Sequence, residues 1–250
     1  MQQHRLVDQQ FGQVAQAYLT SAVHAQGADL DALAALAQSV PHAKVLDLGC
    51  GGGHVSFAMA PHVAAMVAYD LSEDMLSVVA AEAARRSLAQ LHTQAGHAES
   101  LPFDDAAFDI VATRFSAHHW YDVRKGLAEA RRVLKPGGKL VIVDIVAPEV
   151  PLLDTLLQTA EVLRDASHVR DYRVSEWQAM LAEAGFQPGT PRTWKLTMAF
   201  DSWIARIRTP QVRADAIRDL FDRAADEART YFAVAPDHSF AIDAMLIEAA

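Results

Sequence analysis

The chain has one cysteine, Cys50, among 250 residues. A single cysteine makes no internal disulfide and builds no cysteine framework for zinc. Long apolar runs are also missing. No stretch reaches the roughly 18 uncharged apolar residues that a membrane helix needs. Met1 to Arg5 leads into polar residues, without the apolar run of a secretory signal. No membrane span and a cytoplasmic location are therefore expected. Cations are in deficit: 22 Lys and Arg stand against 31 Asp and Glu, a net charge of −9. Phosphate contacts need clustered cations, so a dedicated nucleic-acid binder is not expected. One local cluster, Arg206, Arg208, Arg213 and Arg218, reads as a solvated helix face.

Other motifs are absent too. No Gly-Lys-Ser/Thr occurs, so there is no P-loop. Among eleven histidines there is no H-E-x-x-H. The H-x-E of His97 to Glu99 lacks the P-C-x-x-C that a zinc deaminase adds. No G-x-S-x-G occurs. No metal site is expected. There is no internal repeat and no low-complexity linker.

What is present is a core-forming composition, 51% hydrophobic, in an alternating pattern. Short apolar runs at Lys44–Leu48, Ala65–Tyr69, Gln90–Ala95, Phe108–Thr113 and Lys139–Ile145 read as strands. The last is almost continuously apolar, as in a strand buried on both faces. Helical segments lie between them, one opened by Ser72 as N-cap and one from Tyr121 to Leu134, stopped by Pro136-Gly-Gly138. Such βαβα alternation predicts a doubly wound, mostly parallel sheet. Beyond Pro148 the spacing predicts helices over Leu152–Leu163 and Ser175–Ala184, with Gly185 as C-cap, and a strand over Arg192–Met198. Ala199–Thr230 reads as helical. Phe240–Glu248 suits a closing strand or a helix.

The strongest motif is Val45-Leu-Asp-Leu-Gly-Cys-Gly-Gly-Gly-His54. A strand runs through Asp47 into glycines and then a helix, the arrangement that lets backbone approach a ligand at the carboxyl edge of a parallel sheet. The dinucleotide fingerprint G-x-G-x-x-G requires a last glycine where His54 stands. Asp47 would repel a pyrophosphate and attract an ammonium group, so the ligand suggested is unphosphorylated and carries an amine. Asp70 ends the second strand, at the distance where an acidic residue commonly holds ribose hydroxyls. Cys50 sits inside the turn and reads as packed, not nucleophilic.

These residues, with Asp70-Leu-Ser, Gly96-His-Ala-Glu-Ser-Leu-Pro-Phe103, Phe108-Asp-Ile-Val111 and Leu134-Lys-Pro-Gly-Gly138, resemble the class I S-adenosylmethionine-dependent methyltransferases, closest to the ubiquinone/menaquinone-biosynthesis type. The resemblance spans about residues 40–146. It implies a Rossmann-like α/β fold with a seven-stranded sheet and helical caps. The domain core would be about 40–148 plus 175–198 and 239–250, and the caps 1–39, 149–174 and 199–237. It implies that Asp47, Gly49, Gly51 and Gly53 hold the methionine part of the cofactor. Asp70, with Leu71 beside it, would hold the ribose, and His97, Ala98 and Glu99 the adenine edge. Arg114 would fall where the cofactor loop passes. Phe11 to Tyr18 resembles the family's lead-in helix, in which an aromatic residue closes over the cofactor, here Tyr18; the same spacing suits a packing stripe. The implied reaction moves a methyl group to an oxygen, nitrogen or carbon nucleophile of a small molecule and leaves S-adenosylhomocysteine. The alternatives are a nicotinamide-dependent oxidoreductase and a non-catalytic S-adenosylmethionine-binding protein.

Phe115-Ser-Ala-His-His-Trp120 follows the fourth strand. Adjacent histidines point different ways. His119 is the candidate general base, titrating near the unperturbed ~6.5, and His118 the one that orients the loop. Tyr18, Phe115 or Trp120 could face the sulfonium by cation–π contact. His168, in Arg164-Asp-Ala-Ser-His-Val-Arg170, either lines the acceptor pocket or lies in a salt-bridged surface turn.

Overall fold

The computed structural model describes residues 2–12 and 27–250. In chain order the elements are α1 (Gln3–Gly12), α2 (Ala28–Ser39), β1 (Lys44–Leu48), α3 (His54–Met59), β2 (Ala65–Asp70), α4 (Glu73–Arg85), β3 (Leu91–Ala95), β4 (Phe108–Arg114), α5 (Val123–Val133), β5 (Leu134–Val146), α6 (Pro151–Arg164), α7 (Val174–Glu183), β6 (Arg192–Met198), α8 (Phe200–Arg206), α9 (Gln211–Asp222), α10 (Asp226–Tyr231) and β7 (Phe240–Ala249). The seven strands form one sheet in the order β3-β2-β1-β4-β5-β7-β6. All neighbours up to β5 pair in parallel, and β7 runs antiparallel to both β5 and β6. The strand order reverses between β1 and β4. The crevice outside their carboxyl ends is where open α/β sheets take ligands.

The sheet is buried on both faces. One layer packs Leu46, Phe108, Val111 and Ile142 against α5 and α7 through Leu127, Val133, Trp177 and Leu181. The other packs Val45, Met66, Ile110 and Val143 against α2, α3 and α4 through Leu33, Phe57 and Val79. A third cluster joins α6, α8 and α9 to the end of β7, around Leu157, Trp203, Phe221 and Phe240. It forms the far wall of the crevice.

One open alternative is decided and three expectations change in detail. The segment after Phe240 is a strand, not a helix. Its alternate residues Ile242, Ala244 and Leu246 are buried against β5 and β6. The strand expected from Lys139 begins at Leu134, because Leu134 already pairs with Phe108; the Pro136-Gly-Gly segment is absorbed as a register shift. Helix α5 begins at Val123, where Asp122 accepts the Lys125 N–H as N-cap. The helical stretch 199–230 is divided into three: Arg208 takes a left-handed φ of 57° and Pro210 cannot donate to a continuing helix. Ser72 does occupy the N-cap position of α4, but its hydroxyl makes no capping bond.

The loop before α5 is held by Trp120, whose Nε1–H donates to Ser116 Oγ at 3.2 Å. Its ring lies on Gly126, in the middle of α5, where an added Cβ would meet ring carbon Cε3 at 2.5 Å. In an open helix Gly→Ala would stabilise by about 1 kcal/mol. Here Gly126→Ala is expected to destabilise by about 1–3 kcal/mol through overpacking. Urea unfolding measures the sign.

Candidate active site

Between β1 and α3 the chain turns sharply over the end of β2. The N–H groups of Gly49 and Cys50 both donate to the Tyr69 carbonyl, at 2.8 and 3.0 Å. The Gly51 N–H donates to Asp70 Oδ2 at 2.8 Å. Gly49 has a left-handed φ of 75°, and a Cβ there would overlap Ser116 Oγ at 1.9 Å. Gly49 therefore lets the turn pack directly on Ser116, whereas a Cβ on Gly51, which lines the crevice, would meet nothing within 4 Å.

The crevice is one cavity. Its first part is lined by Asp47, Gly49, Gly51, Asp70, Leu71, His97, Ala98, Glu99 and Arg114, as the sequence reading proposed. Gly53 is not on its wall. It precedes α3 and packs on Val79 and Phe57, where a Cβ would come within 3.0 Å. Gly52, His54 and Met75 line the cavity unanticipated; the glycine run was the signal for the first two. Tyr18 lies outside the described residues.

Asp47 is wholly buried. Its Oδ2 accepts from the backbone N–H of Ser56 at 2.9 Å and from its hydroxyl at 2.6 Å. Oδ1 has no hydrogen-bond partner among the described residues. Burial pushes this carboxyl up to about 7. Burial also raises Asp70, whose Oδ1 accepts the Ser72 N–H at 3.0 Å. Each Asp70 oxygen keeps acceptor capacity for a further hydroxyl. Glu99 is drawn to the protein: Oε1 accepts the Asp122 N–H, and Oε2 faces His4 at 3.5 Å. The His4 ring lies 4.1 Å from that of His97. Arg114 forms a buried ion pair with Asp29 at the start of α2, and its guanidinium lies over Phe115.

The second part of the cavity is lined by apolar Ile145, Leu196, Met198, Trp203 and Ile242 and by polar His118, His119, Glu161, Arg164 and Asp171, with the Arg164 guanidinium over the Trp203 ring. Both histidines reach it from the short turn after β4, and they differ sharply. His119 Nδ1–H donates to the Ser167 carbonyl at 3.2 Å. Burial, and then the neighbouring His118, lower it to about 4. A rate limb near ~6.5 is therefore not its signature, contrary to the unperturbed expectation. His118 donates from Nδ1 to Asp144 Oδ1 at 2.6 Å. Burial would lower it, but the Asp144 carboxylate overrides this and holds it up at about 9. His118 does anchor its loop, since its carbonyl accepts from Val169 and Arg170. Its ring, however, faces the cavity, a role the sequence reading did not assign. His168 is buried behind the two, its Nε2 at 3.2 Å from Gln158 Oε1, so it is not in a surface turn. Arg218 pairs with Asp201 and Asp215 on the surface, as a solvated helix face does. Arg206 lines the cavity instead.

Among the described residues no group of three or more His, Cys, Asp or Glu side chains is placed to hold a metal ion. Nor is any helix long and apolar enough to cross a membrane.

A doubly wound sheet with a glycine turn at its switch point, and acids beneath and beside that turn, defines an α/β enzyme that takes a nucleoside-bearing ligand. A family model described as a methyltransferase domain matches residues 46–142. The uncharacterized protein YafE of Escherichia coli (strain K12) is 48% identical over 80% of this chain and 97% of its own length. The uncharacterized methyltransferase YcgJ of Bacillus subtilis (strain 168) is 38% identical over 95% of this chain and 96% of its own. The crystal structure of YcgJ matches with a TM-score of 0.85, over 88% of this chain and 97% of that one. A demethylmenaquinone methyltransferase of Clavibacter sepedonicus is 43% identical over 44% of each chain. The chain belongs to the class I S-adenosylmethionine-dependent methyltransferases.

The His118 pair makes stability depend on pH. The folded protein holds a proton on His118 that the unfolded chain releases at ~6.5. This stabilisation is fully present below ~6.5 and is lost as pH rises through about 9. Its full size is about 3 kcal/mol. Chemical denaturation from pH 6 to 10 should show this decline, and His118→Asn should flatten it.

Proposed function

We propose that S-adenosylmethionine occupies the part of the cavity between the glycine turn and Ala98, and that a small-molecule acceptor occupies the part between the histidines and Trp203. The observation carrying this reading is that one cavity joins the two parts, with the turn after β4 between them. When bound, S-adenosylmethionine supplies an activated methyl group on a sulfonium. The residues suit it. Asp47 Oδ1 is a buried oxygen without a partner among the described residues, matched to the ammonium of the methionine part. The open space at Gly51 lets backbone lie along that part. Asp70, beside Leu71, has lone pairs for ribose hydroxyls, and His97, Ala98 and Glu99 border the adenine end. Arg114, tied to Asp29, supports Phe115 at the boundary between the two chambers. Tyr18 remains a proposed closing residue.

The chain's own contribution is orientation and exclusion of water. Holding two reactants in line can remove about 7–11 kcal/mol of barrier. The acceptor's nucleophile is oxygen, nitrogen or carbon, and the quinone-pathway name of the Clavibacter relative is in keeping with a ring acceptor. Segments 1–39, 149–174 and 199–237 act as the cap of a single catalytic domain, and the acceptor is not nucleic acid. His119, as a neutral imidazole on the wall, remains a group that the acceptor can touch. Asp47 beneath the turn, and His54 where the dinucleotide fingerprint has its last glycine, disfavour the pyrophosphate of a nicotinamide dinucleotide.

Calorimetry tests the reading. S-adenosylhomocysteine should bind and NAD should not, and Asp70→Ala should weaken binding by about 1.5–3 kcal/mol. Undiminished affinity in a folded Asp70→Ala protein removes the ribose assignment. Release of S-adenosylhomocysteine across a panel of quinols, phenols, amines and acyl acids distinguishes an enzyme from a binding protein.

A further inference from the structure

We propose that His118, positioned by Asp144, is the imidazolium that holds the acceptor's oxygen as an anion, and that the acceptor is a weakly acidic hydroxyl compound of the phenol or enol type. This rests on the methyl-transfer reading above.

The argument begins with the tautomers. A carboxylate and a carbonyl oxygen only accept hydrogen bonds. Asp144 therefore fixes the proton of His118 on Nδ1, and Ser167 fixes that of His119 on Nδ1. Each ring titrates at Nε2. What differs is the group behind it. His118 is backed by a buried anion, whose Oδ1 also accepts the Ile145 N–H at 2.9 Å and so cannot swing away. His119 is backed by a neutral carbonyl and stands beside His118, with ring centroids 4.3 Å apart. A positive charge on His118 is answered at once by Asp144. A positive charge on His119 has no counterion in contact among the described residues and stands beside His118. The other groups around His118 reinforce this. Glu161 on α6 and Asp171 on the segment after it are acidic, and both raise its basicity. His168, 5.7 Å away between ring centroids, is kept neutral by burial and by these two histidines.

The acceptor class follows from the same charges. With Nδ1–H on Asp144, the His118 imidazolium keeps a second N–H at Nε2, and a positive charge beside a weakly acidic hydroxyl favours its ionised form. A carboxylic acid is already ionised and has no use for it. An ammonium is repelled by protonated His118, whereas an oxyanion is attracted to it. Leu196, Met198, Trp203 and Ile242, which line the same cavity, suit a planar apolar ring.

The step balances. The acceptor O–H bond breaks, its proton goes to solvent, and the oxyanion is held by the Nε2–H of the His118 imidazolium. The oxygen's electron pair, or that of a ring carbon conjugated to it, forms the bond to the methyl carbon. The methyl–sulfur bond breaks with its electrons kept by sulfur, giving S-adenosylhomocysteine. His118 keeps its proton throughout, its charge answered by Asp144.

The test uses the whole protein saturated with S-adenosylhomocysteine, with 4-nitrophenol as probe, since its phenolate absorbs visibly. One pH unit below its solution pKa, the free dye is only about 10% ionised. Bound dye should be almost wholly ionised, a rise in phenolate absorbance of roughly tenfold. His118→Gln should abolish the rise, Asp144→Asn should reduce it, and His119→Gln should retain it. Should His118→Gln fail to fold, side-chain nitrogen NMR of the unaltered protein decides, because dye binding should move His118 Nε2 and not His119 Nε2. Dye that does not bind, binds un-ionised, or loses its ionisation with His119→Gln alone overturns the proposal. Failure of S-adenosylhomocysteine to bind at all is the separate failure of the methyl-transfer reading.

Discussion

The site depends on one backbone connection, the stapling of the glycine turn to the end of β2. A single carbonyl, that of Tyr69, accepts both Gly49 and Cys50 N–H groups, and Asp70 secures Gly51. Two adjacent strands thereby end at the same level. That common level sets Asp47 beneath the turn and Asp70 beside it. It also determines the direction in which α3 leaves, since the Phe57 N–H returns to the Gly53 carbonyl. Loosening this connection would move the ligand-facing backbone and both acids together.

From there the electrostatics divide by neighbour. The two acids near the turn are buried with backbone donors and no cation in direct contact, so their charged forms are disfavoured. At the other end of the cavity a carboxylate and an imidazole meet directly, so the charged form of the imidazole is favoured. Such a pair next to open space is an organised dipole, available to whatever enters. Its cost in desolvation is met locally by the ion contact.

Much of this was legible in the sequence, for identifiable reasons. Lys44–Leu48 and the following glycines announce a buried strand entering a ligand turn, because few other contexts tolerate such glycine density. Asp70 was legible from its distance to that turn. The choice between His118 and His119 was not. Two neighbouring rings on a tight turn diverge, and which one meets Asp144 depends on how β4 and β5 register, with Arg114 opposite Val143. No local pattern encodes that register, and a residue 26 positions away decides it. The departure of Gly53 from the ligand wall was hidden for a similar reason: it needs knowledge of where α4 places Val79. The division of 199–230 into three helices had a visible sign in Pro210, outweighed in the reading by continuous helical composition.

Helix α1 touches both chambers. Its His4 ring rests on His97, while its Gln3 side chain donates to the Ser167 carbonyl at 2.6 Å and its Phe11 ring packs edge-on against His119. Gln10, on the same helix, reaches the Ile207 carbonyl beyond α8. A segment of ten residues thus roofs the nucleoside end and the acceptor end alike. Removing this helix would therefore strip contacts from both ends of the cavity together.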